Sequence, residues 1–193
     1  VARDLGLPVL AVHERFGTVE CDGFDLASAR VERYPRGGEL PEVRLGVPIG
    51  EDLGRRDFTV NAIAVRLDDG AVEAVAGAFE DLHAERLRVL HPQSFADDPT
   101  RLLRLVRYAA RLGFSAEDET AAWAEAAVAG GALATVSGAR LGTELRLLLR
   151  EPQLDALARL WPAAVHPGFA VDGDRVARAA ELAADGRWDL AAF

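Results

Sequence analysis

The sequence predicts an α+β fold in which a region of short strands precedes a region of helices. Strand-length apolar runs separated by turn residues occupy roughly the first 70 residues. Apolar residues at helical spacing begin at Asp98 and continue toward the C-terminus. The 193 residues are 50% hydrophobic, which suffices for a core in one domain or in parts of two.

The strand region is predicted from three apolar runs and the residues between them. The runs span 7–12, 16–20 and 24–27, and Cys21-Asp22-Gly23-Phe24 between the last two predicts a hairpin. Four glycines and three prolines within 34–50 predict a loop. Residues 55–65 then change from charged to apolar, which predicts a strand or a helix that ends before a turn at 68–70.

The helical region begins with a start signal. Asp98-Pro99 supplies an N-cap carboxylate followed by a proline in the first turn, and Gly113 ends the apolar pattern. Further helices are predicted over 117–129, 139–150, 153–161 and 174–184.

Composition excludes several classes of protein. The single cysteine, Cys21, excludes an intrachain disulfide framework, and its apolar surroundings predict an inert thiol. The absence of a membrane-length apolar run and of a signal-peptide pattern predicts a cytoplasmic protein without membrane contacts. The net charge of −9 argues against nonspecific nucleic-acid binding, but a local basic face remains possible, built from arginine because the chain has no lysine.

Arg55 and Arg56 form the first candidate binding site. Adjacent guanidiniums offer planar, bidentate donors that suit a phosphate group. Asp57 could orient one of these arginines or accept a hydrogen bond from a ribose hydroxyl. The alternative is a solvated loop with a local ion pair, which contributes little to stability.

Asp98 and Arg101 form the second candidate site. A carboxylate can accept from the exocyclic amino group of cytosine or adenine, and an arginine one helical turn later can donate to the adjacent ring nitrogen. Such a pair would reject U and G, because an unpaired buried polar group costs ~1–3 kcal/mol. The alternative is that Asp98 only caps the helix and Arg101 is exposed.

A third candidate is a row of arginines on the first long helix. The spacing of three, three and four residues puts them roughly on one helical face, which suits phosphate contacts to a nucleotide or to RNA. The alternative is a solvated face. The row consists of Arg101, Arg104, Arg107 and Arg111.

Together these motifs resemble the class II tRNA nucleotidyltransferases (CCA-adding enzymes) and the bacterial poly(A) polymerases. Residues 51–64 resemble the family's RRDFTxNA motif, and residues 94–104 resemble its EDxxR-type motif. Residues 25–30 and 140–145 resemble a strand segment and a later neck motif of the family. The resemblance covers about the first 150 residues and is weak beyond them.

The resemblance implies a fold and a division into domains. It implies a partial polymerase-beta-like nucleotidyltransferase head with a mixed sheet over 1–92. It further implies an all-helical neck that binds the base and RNA over 93–150, and the start of a helical body over 151–193.

The resemblance also implies residue roles. Asp98 and Arg101 would read the base of the incoming nucleotide, and Asp25 would be an active-site carboxylate. The other nucleotide-binding residues would be Arg55, Arg56, Asp57, Asn61 and Arg104. RNA would be bound by Arg107, Arg111 and Arg140.

The implied reaction is transfer of CMP and AMP from CTP and ATP to the 3′ end of tRNA or another RNA. A poly(A) polymerase, an A-adding or CC-adding enzyme and a noncatalytic nucleotide- or RNA-binding remnant are the alternatives. The family's Gly-Gly loop and Asp-x-Asp strand, whose aspartates hold two Mg²⁺ ions, are expected before Val1. We therefore expect Mg²⁺ to act in the full-length parent, no metal ligand in this chain, and no activity of this chain alone.

Overall fold

The computed structural model describes residues 6–151 together with Arg178, which is helical. Nearly all of the expected body region 151–193 lies outside the described residues. The same holds for the helices expected over 153–161 and 174–184, apart from Arg178.

Nine short strands form four small sheets in the described part of the chain, so the expected early strands are present but do not make one continuous sheet. The first three strands form an antiparallel meander, two further pairs are antiparallel, and the last pair is parallel. In chain order the strands are β1 (Val9–His13), β2 (Thr18–Cys21), β3 (Phe24–Ala27), β4 (Arg30–Arg33), β5 (Glu42–Leu45), β6 (Ile63–Val65), β7 (Val72–Ala74), β8 (Arg86–Leu87) and β9 (Ser115–Ala116).

The predicted hairpin between the second and third apolar runs is confirmed. Cys21 pairs with Phe24 across a two-residue turn, and Gly23 adopts a φ of 84°. A glycine suits this position because a side chain at positive φ is strained. The thiol of Cys21 is free and buried.

The prediction of a loop over 34–50 is wrong for residues 42–45 and for residues 49–50, which begin a helix. Residues 42–45 form β5, which pairs with β4 from Arg30↔Leu45 to Arg33↔Glu42. Glycines and prolines flank the strand, and its four residues are too few to reveal a period of two in the sequence. Within 55–65, a 3₁₀ turn over Thr59–Asn61 precedes β6.

Six α-helices occur in the described residues, and the three longest match predicted helices. The helix that follows Asp98 ends where Gly113 takes a φ of 72°. Asp98 Oδ1 accepts from the backbone N–H of Thr100 at 3.1 Å, so the predicted N-cap bond is present. The helices are α1 (Ile49–Leu53), α2 (Ala78–His83), α3 (Ser94–Asp97), α4 (Thr100–Leu112), α5 (Asp118–Ala129) and α6 (Gly138–Leu149).

The core surrounds α4 and joins the strand region to the helices. Leu102 and Leu103 of α4 are fully buried in one cluster with Phe58 and Leu87, which come from the strand region, and with Leu148 of α6. Burying a side chain of this size contributes about 1.5–3 kcal/mol. This shared core fixes the segment around Phe58, and with it the neighbouring Arg-Arg-Asp motif, against α4.

No helix in residues 6–151 combines the length and the apolar character that crossing a bilayer requires.

Candidate functional site

A cavity of about 810 Å³ lies where the strand region meets α4 and α6. Its volume is in the range of pockets that enclose a small organic ligand. All seven residues predicted to bind a nucleotide line it, as does Arg140, whereas Asp25, Arg107 and Arg111 do not. The seven are Arg55, Arg56, Asp57, Asn61, Asp98, Arg101 and Arg104.

Asp52, a buried residue of α1, holds both arginines of the Arg-Arg-Asp motif. Its Oδ1 accepts from Nε and Nη2 of Arg55 at 3.1 and 2.6 Å. Its Oδ2 accepts from Nε and Nη2 of Arg56 at 3.1 and 2.6 Å. Burial opposes ionisation of Asp52, but these hydrogen bonds and one from the Arg30 backbone keep its pKa below the ordinary value. One carboxylate therefore orients two guanidiniums at the cavity wall.

The two arginines differ in what remains available to a ligand. Arg55 also donates to the Arg30 carbonyl and to Glu32 Oε1, each at 3.1 Å, and its side chain is 13% exposed. Arg56 has a 41% exposed side chain. Arg56 is therefore the better placed of the two to meet an anion from solvent.

Asp57 orients Arg104 rather than either neighbouring arginine. Nε of Arg104 donates to Asp57 Oδ2 at 2.7 Å, and Nη2 donates to the same oxygen. Asn61 donates its amide to Asp57 Oδ1 at 2.9 Å. Burial opposes ionisation of Asp57, yet the charge of Arg104 and these hydrogen bonds lower its pKa. Asp57 is thus an anionic link between the 3₁₀ turn and α4.

The two residues expected to read a base lie next to each other on the cavity wall. Asp98 Oδ1 accepts three hydrogen bonds, from the backbone and hydroxyl of Thr100 at 3.1 and 2.6 Å and from Nη2 of Arg140 at 2.8 Å. Arg101 is 5% exposed, so the alternative of an exposed helix residue is wrong. Its Nη2 donates to the carbonyl of Arg55 at 3.0 Å, while its buried Nη1 has no partner among the described residues.

Two members of the arginine row on α4, Arg101 and Arg104, line the cavity, whereas Arg107 and Arg111 do not. Arg107, with a 6% exposed side chain, lies within 4.0 Å of Glu144 and Glu151. Arg111 pairs with Glu151 through Nε and Nη2. The guanidiniums of Arg107 and Arg111 also lie 4.8 and 5.9 Å from the ring centre of Tyr108, within cation–π range. The ion pairs hold the C-terminal half of α4 against α6 and against Glu151, which follows α6.

Glu144 of α6 closes the cavity beside Arg104 and Arg107. Burial raises its pKa above the ordinary value, even though both arginines oppose that shift and lie within 3.9 Å. Two further carboxylates, Asp98 and Asp57, add to the increase. The pKa values of Asp57 and Glu144 are therefore shifted in opposite directions, because charge and hydrogen bonds outweigh burial at Asp57 whereas burial dominates at Glu144.

Asp25 lies on β3 at the edge of this region. It is exposed and sits opposite Glu20 of β2. Ala27, two residues further along the same strand, lines the cavity, so Asp25 shares its face of the strand. Over residues 6–151, no three His, Cys, Asp or Glu side chains come together as potential metal ligands.

Several site residues were missed from the sequence. Asp52 precedes Arg55 and Arg56 by three and four residues, a helical spacing that could have identified it. Glu32 and Tyr34 reach the cavity only through the fold. Tyr34 donates to Glu32 Oε2 at 3.1 Å, and burial, with Asp98 and Glu32 nearby, raises its pKa.

Comparison with known proteins gives consistent matches. Residues 7–88 match the family described as the Poly A polymerase head domain. The chain is 42% identical over 159 residues to the A-adding tRNA nucleotidyltransferase of Geobacter sulfurreducens, covering 78% of this chain and 18% of that protein. It is 44% identical over 141 residues to the CC-adding tRNA nucleotidyltransferase of Deinococcus radiodurans. That match covers 72% of this chain and 36% of the relative. The chain therefore spans a minor part of the curated relatives that it matches.

Solved structures agree in fold. A CCA-adding enzyme in an apo form superposes with a TM-score of 0.78 at 32% identity, covering 97% of this chain and 47% of that one. A tRNA nucleotidyltransferase complexed with a primer tRNA and an incoming ATP analog gives a TM-score of 0.72 at 32% identity. That match covers 97% of this chain and 55% of the other. Sequence and fold agree, and the chain belongs to the class II CCA-adding family of tRNA nucleotidyltransferases.

Proposed function

We propose that this chain carries the nucleotide-selecting part of an enzyme that transfers CMP and AMP from CTP and ATP to the 3′ end of tRNA. The observation that carries the proposal is the single cavity lined by all seven predicted nucleotide-binding residues. Relatives named for A addition and CC addition, and a solved structure with primer tRNA and an ATP analog, support the same reaction class. Separate domains over 1–92, 93–150 and 151–193 are part of this proposal.

The phosphate end of the nucleotide is assigned to Arg56 and Arg55. Asp52 fixes both guanidiniums before a ligand arrives, so that binding requires little reorganisation. Arg56 presents its exposed edge to a phosphate, whereas Arg55 adds positive charge from the wall. Asp57 and Asn61 hold Arg104 toward the same space and leave it available as a second cationic contact.

The base is assigned to Asp98 and Arg101. Three donors occupy Asp98 Oδ1, so we assign Oδ2 as the acceptor for an exocyclic amino group. The unpartnered Nη1 of Arg101 would donate to the neighbouring ring nitrogen. Both C and A present an amino group beside a ring acceptor, whereas U and G present a carbonyl beside an N–H, which leaves both protein groups unpaired.

Asp25 is proposed as an active-site carboxylate and Mg²⁺ as the cofactor of the full-length parent, both from the family resemblance. Within residues 6–151, the carboxylates alone do not form a group of three potential metal ligands. The RNA contacts expected of Arg107, Arg111 and Arg140 also stay predictions. Arg111, with a 48% exposed side chain, is the best exposed of the three.

Nucleotide binding tests the proposal. Calorimetric titration of this chain with the four ribonucleoside triphosphates should show tighter binding of ATP and CTP than of GTP and UTP. Asp98→Ala and Arg101→Ala should each remove that preference, since each deletes one half of the base contact. Equal binding of all four triphosphates by the unaltered chain would contradict the assignment of the base site.

Incorporation assays test the reaction. Labelled CTP and ATP should be added in the full-length parent to tRNA that lacks its 3′ CCA, whereas this chain alone should be inactive. Addition of only C or only A would favour a CC-adding or an A-adding enzyme, and a long A tail would favour a poly(A) polymerase. Robust incorporation by the isolated chain would contradict its expected inactivity.

A further inference from the structure

We infer that Arg140 is a positioning residue for base selection, because it fixes the carboxylate of Asp98 in one orientation. The inference rests on the proposed function, in which Asp98 reads the base. Arg140 touches neither the base nor the reacting atoms in this account. It acts through Asp98 and decides how strictly that side chain discriminates.

The Asp98 carboxylate is held asymmetrically, because its known hydrogen bonds all reach Oδ1. Oδ1 accepts from Arg140 Nη2 at 2.8 Å and from the backbone and hydroxyl of Thr100. The two bonds from Thr100 arise within the first turn of α4, so they hold one oxygen close to the helix start. They do not prevent the second oxygen from turning about the side chain, whereas a charge-assisted bond from a third direction does.

Arg140 is itself held in place by its neighbours. Its Nη1 donates to the carbonyl of Gly38 at 2.6 Å, and its own backbone belongs to the first turn of α6. Only 22% of its side chain is exposed. Gly38 is itself confined, with a φ of 79° and a backbone N–H that donates to the Asp97 carbonyl at 3.1 Å. Arg140 therefore spans two fixed points and cannot follow Asp98 if the carboxylate turns.

The fixed carboxylate affects rejection of the wrong bases more than acceptance of the right ones. Acceptance of C or A needs only one carboxylate oxygen near the exocyclic amino group, and a mobile carboxylate can still supply it. Rejection of U or G needs a carboxylate that stays against their carbonyl group, because a mobile one would turn away and relieve the repulsion. Loss of Arg140 should therefore improve binding of the wrong bases more than it weakens binding of the right ones.

The test uses four variants of this chain: Arg140→Gln, Arg140→Lys, Asp98→Ala, and Arg146→Gln as the control. Arg146 is an exposed arginine on the same helix. Dissociation constants for ATP, CTP, GTP and UTP are measured by calorimetry, and thermal unfolding is measured for each protein. We expect R140Q to reduce the preference for ATP and CTP ~10-fold, which lies within the range for one buried polar group left unpaired. R140K, which can reach only one of the two partners, should recover part of that preference, and R146Q should behave as the unaltered chain.

The remaining outcomes overturn the inference in distinguishable ways. If D98A lowers the preference and R140Q does not, Arg140 has no positioning role and the proposed function stands. If R140Q weakens binding of all four triphosphates equally and lowers the unfolding temperature, Arg140 is only structural. If D98A leaves the preference unchanged, Asp98 does not read the base, and the proposed function fails together with the inference.

Discussion

Replacement of Asp52 by asparagine should destabilise the protein and weaken nucleotide binding. Asp52 is a buried carboxylate that accepts five hydrogen bonds, four from Arg55 and Arg56 and one from the backbone of Arg30. An asparagine has the same shape but only one acceptor oxygen. Its NH₂ group would face the donors of one guanidinium, so that at least two hydrogen bonds are lost and one arginine is left without its counter-charge.

The size of the effect follows from the burial of each partner. Removing one partner of a buried ion pair costs about 3–5 kcal/mol. Arg55 keeps Glu32 as a partner, and Arg56 can be hydrated because its side chain is 41% exposed. We therefore expect a loss near the lower limit, about 3 kcal/mol in the free energy of unfolding. For a chain of this length, that loss corresponds to a fall of roughly 6–12 °C in Tm.

Urea denaturation followed by circular dichroism measures the first effect, with Glu51→Gln as the matched control. Glu51 is the preceding residue of α1, and its exposed pair with Arg44 should contribute less than about 1 kcal/mol. ATP titration measures the second effect. D52N should weaken binding of all four triphosphates by a similar factor, since the phosphates are common to them. If D52N and E51Q unfold within about 0.5 kcal/mol of each other, Asp52 does not organise the two arginines.

The same variant has a signature in its pH dependence. The pKa of Asp52 is lowered from 3.8 in the folded protein, so its ionised form contributes stability that is present above pH 3.8. That contribution is lost as the pH falls through the lowered pKa. The difference in free energy of unfolding between the unaltered chain and D52N should therefore shrink in acid. A difference that stays constant from pH 6 to pH 3 would mean that the charge of Asp52 is not what stabilises the fold.

Three further predictions test other parts of the structure. Burial raises the pKa of Glu144 above 4.5 in the folded protein. The stability of the unaltered chain relative to E144Q should therefore be highest below pH 4.5 and fall as the pH rises through the raised pKa, opposite in sign to Asp52. Gly38→Ala should destabilise by about 1–3 kcal/mol, because the φ of Gly38 is positive and the added Cβ would overlap Thr135 Oγ1. Gly142→Ala on α6 should be tolerated, and thermal unfolding compares the two variants. Leu102→Ala should lower the free energy of unfolding by about 2–5 kcal/mol in urea denaturation, whereas Leu67→Ala, at an exposed position, should change it negligibly. Equal effects would mean that Leu102 is not buried in the core around α4.

Local signals predicted the helices and the hairpin well. Asp98-Pro99 and Gly113 bounded α4 because capping chemistry depends on residues adjacent in sequence. Asp22-Gly23 specified a hairpin turn for the same reason. The strand β5 was missed because its four residues gain their structure from pairing with β4, a contact that no local pattern encodes.

The sequence indicated which residues line the cavity, but not which of them bind one another. The sequence predicted a phosphate-binding pair at Arg55 and Arg56, and the structure places both on the cavity wall. It could not show that Asp57 binds Arg104, which lies 47 residues away, because only the shared core brings them together. The same limit applies to Arg107, which shares a helical face with cavity residues yet lies buried beside Glu144.

The distribution of charge supports the proposal that this acidic chain binds an anionic nucleotide. Six arginines and four carboxylates line the cavity, which leaves it a formal charge of +2 in a chain whose net charge is −9. Each carboxylate fixes one or more guanidiniums, so the positive charge is oriented before binding at the cost of partial neutralisation. If the charge of these arginines sets the affinity, ATP binding should weaken steadily as the NaCl concentration is raised from 0.05 to 0.5 M. Salt screens partly exposed groups such as Arg56. Affinity that is insensitive to salt would instead mean that contacts to the base and ribose, and not the arginines, hold the nucleotide.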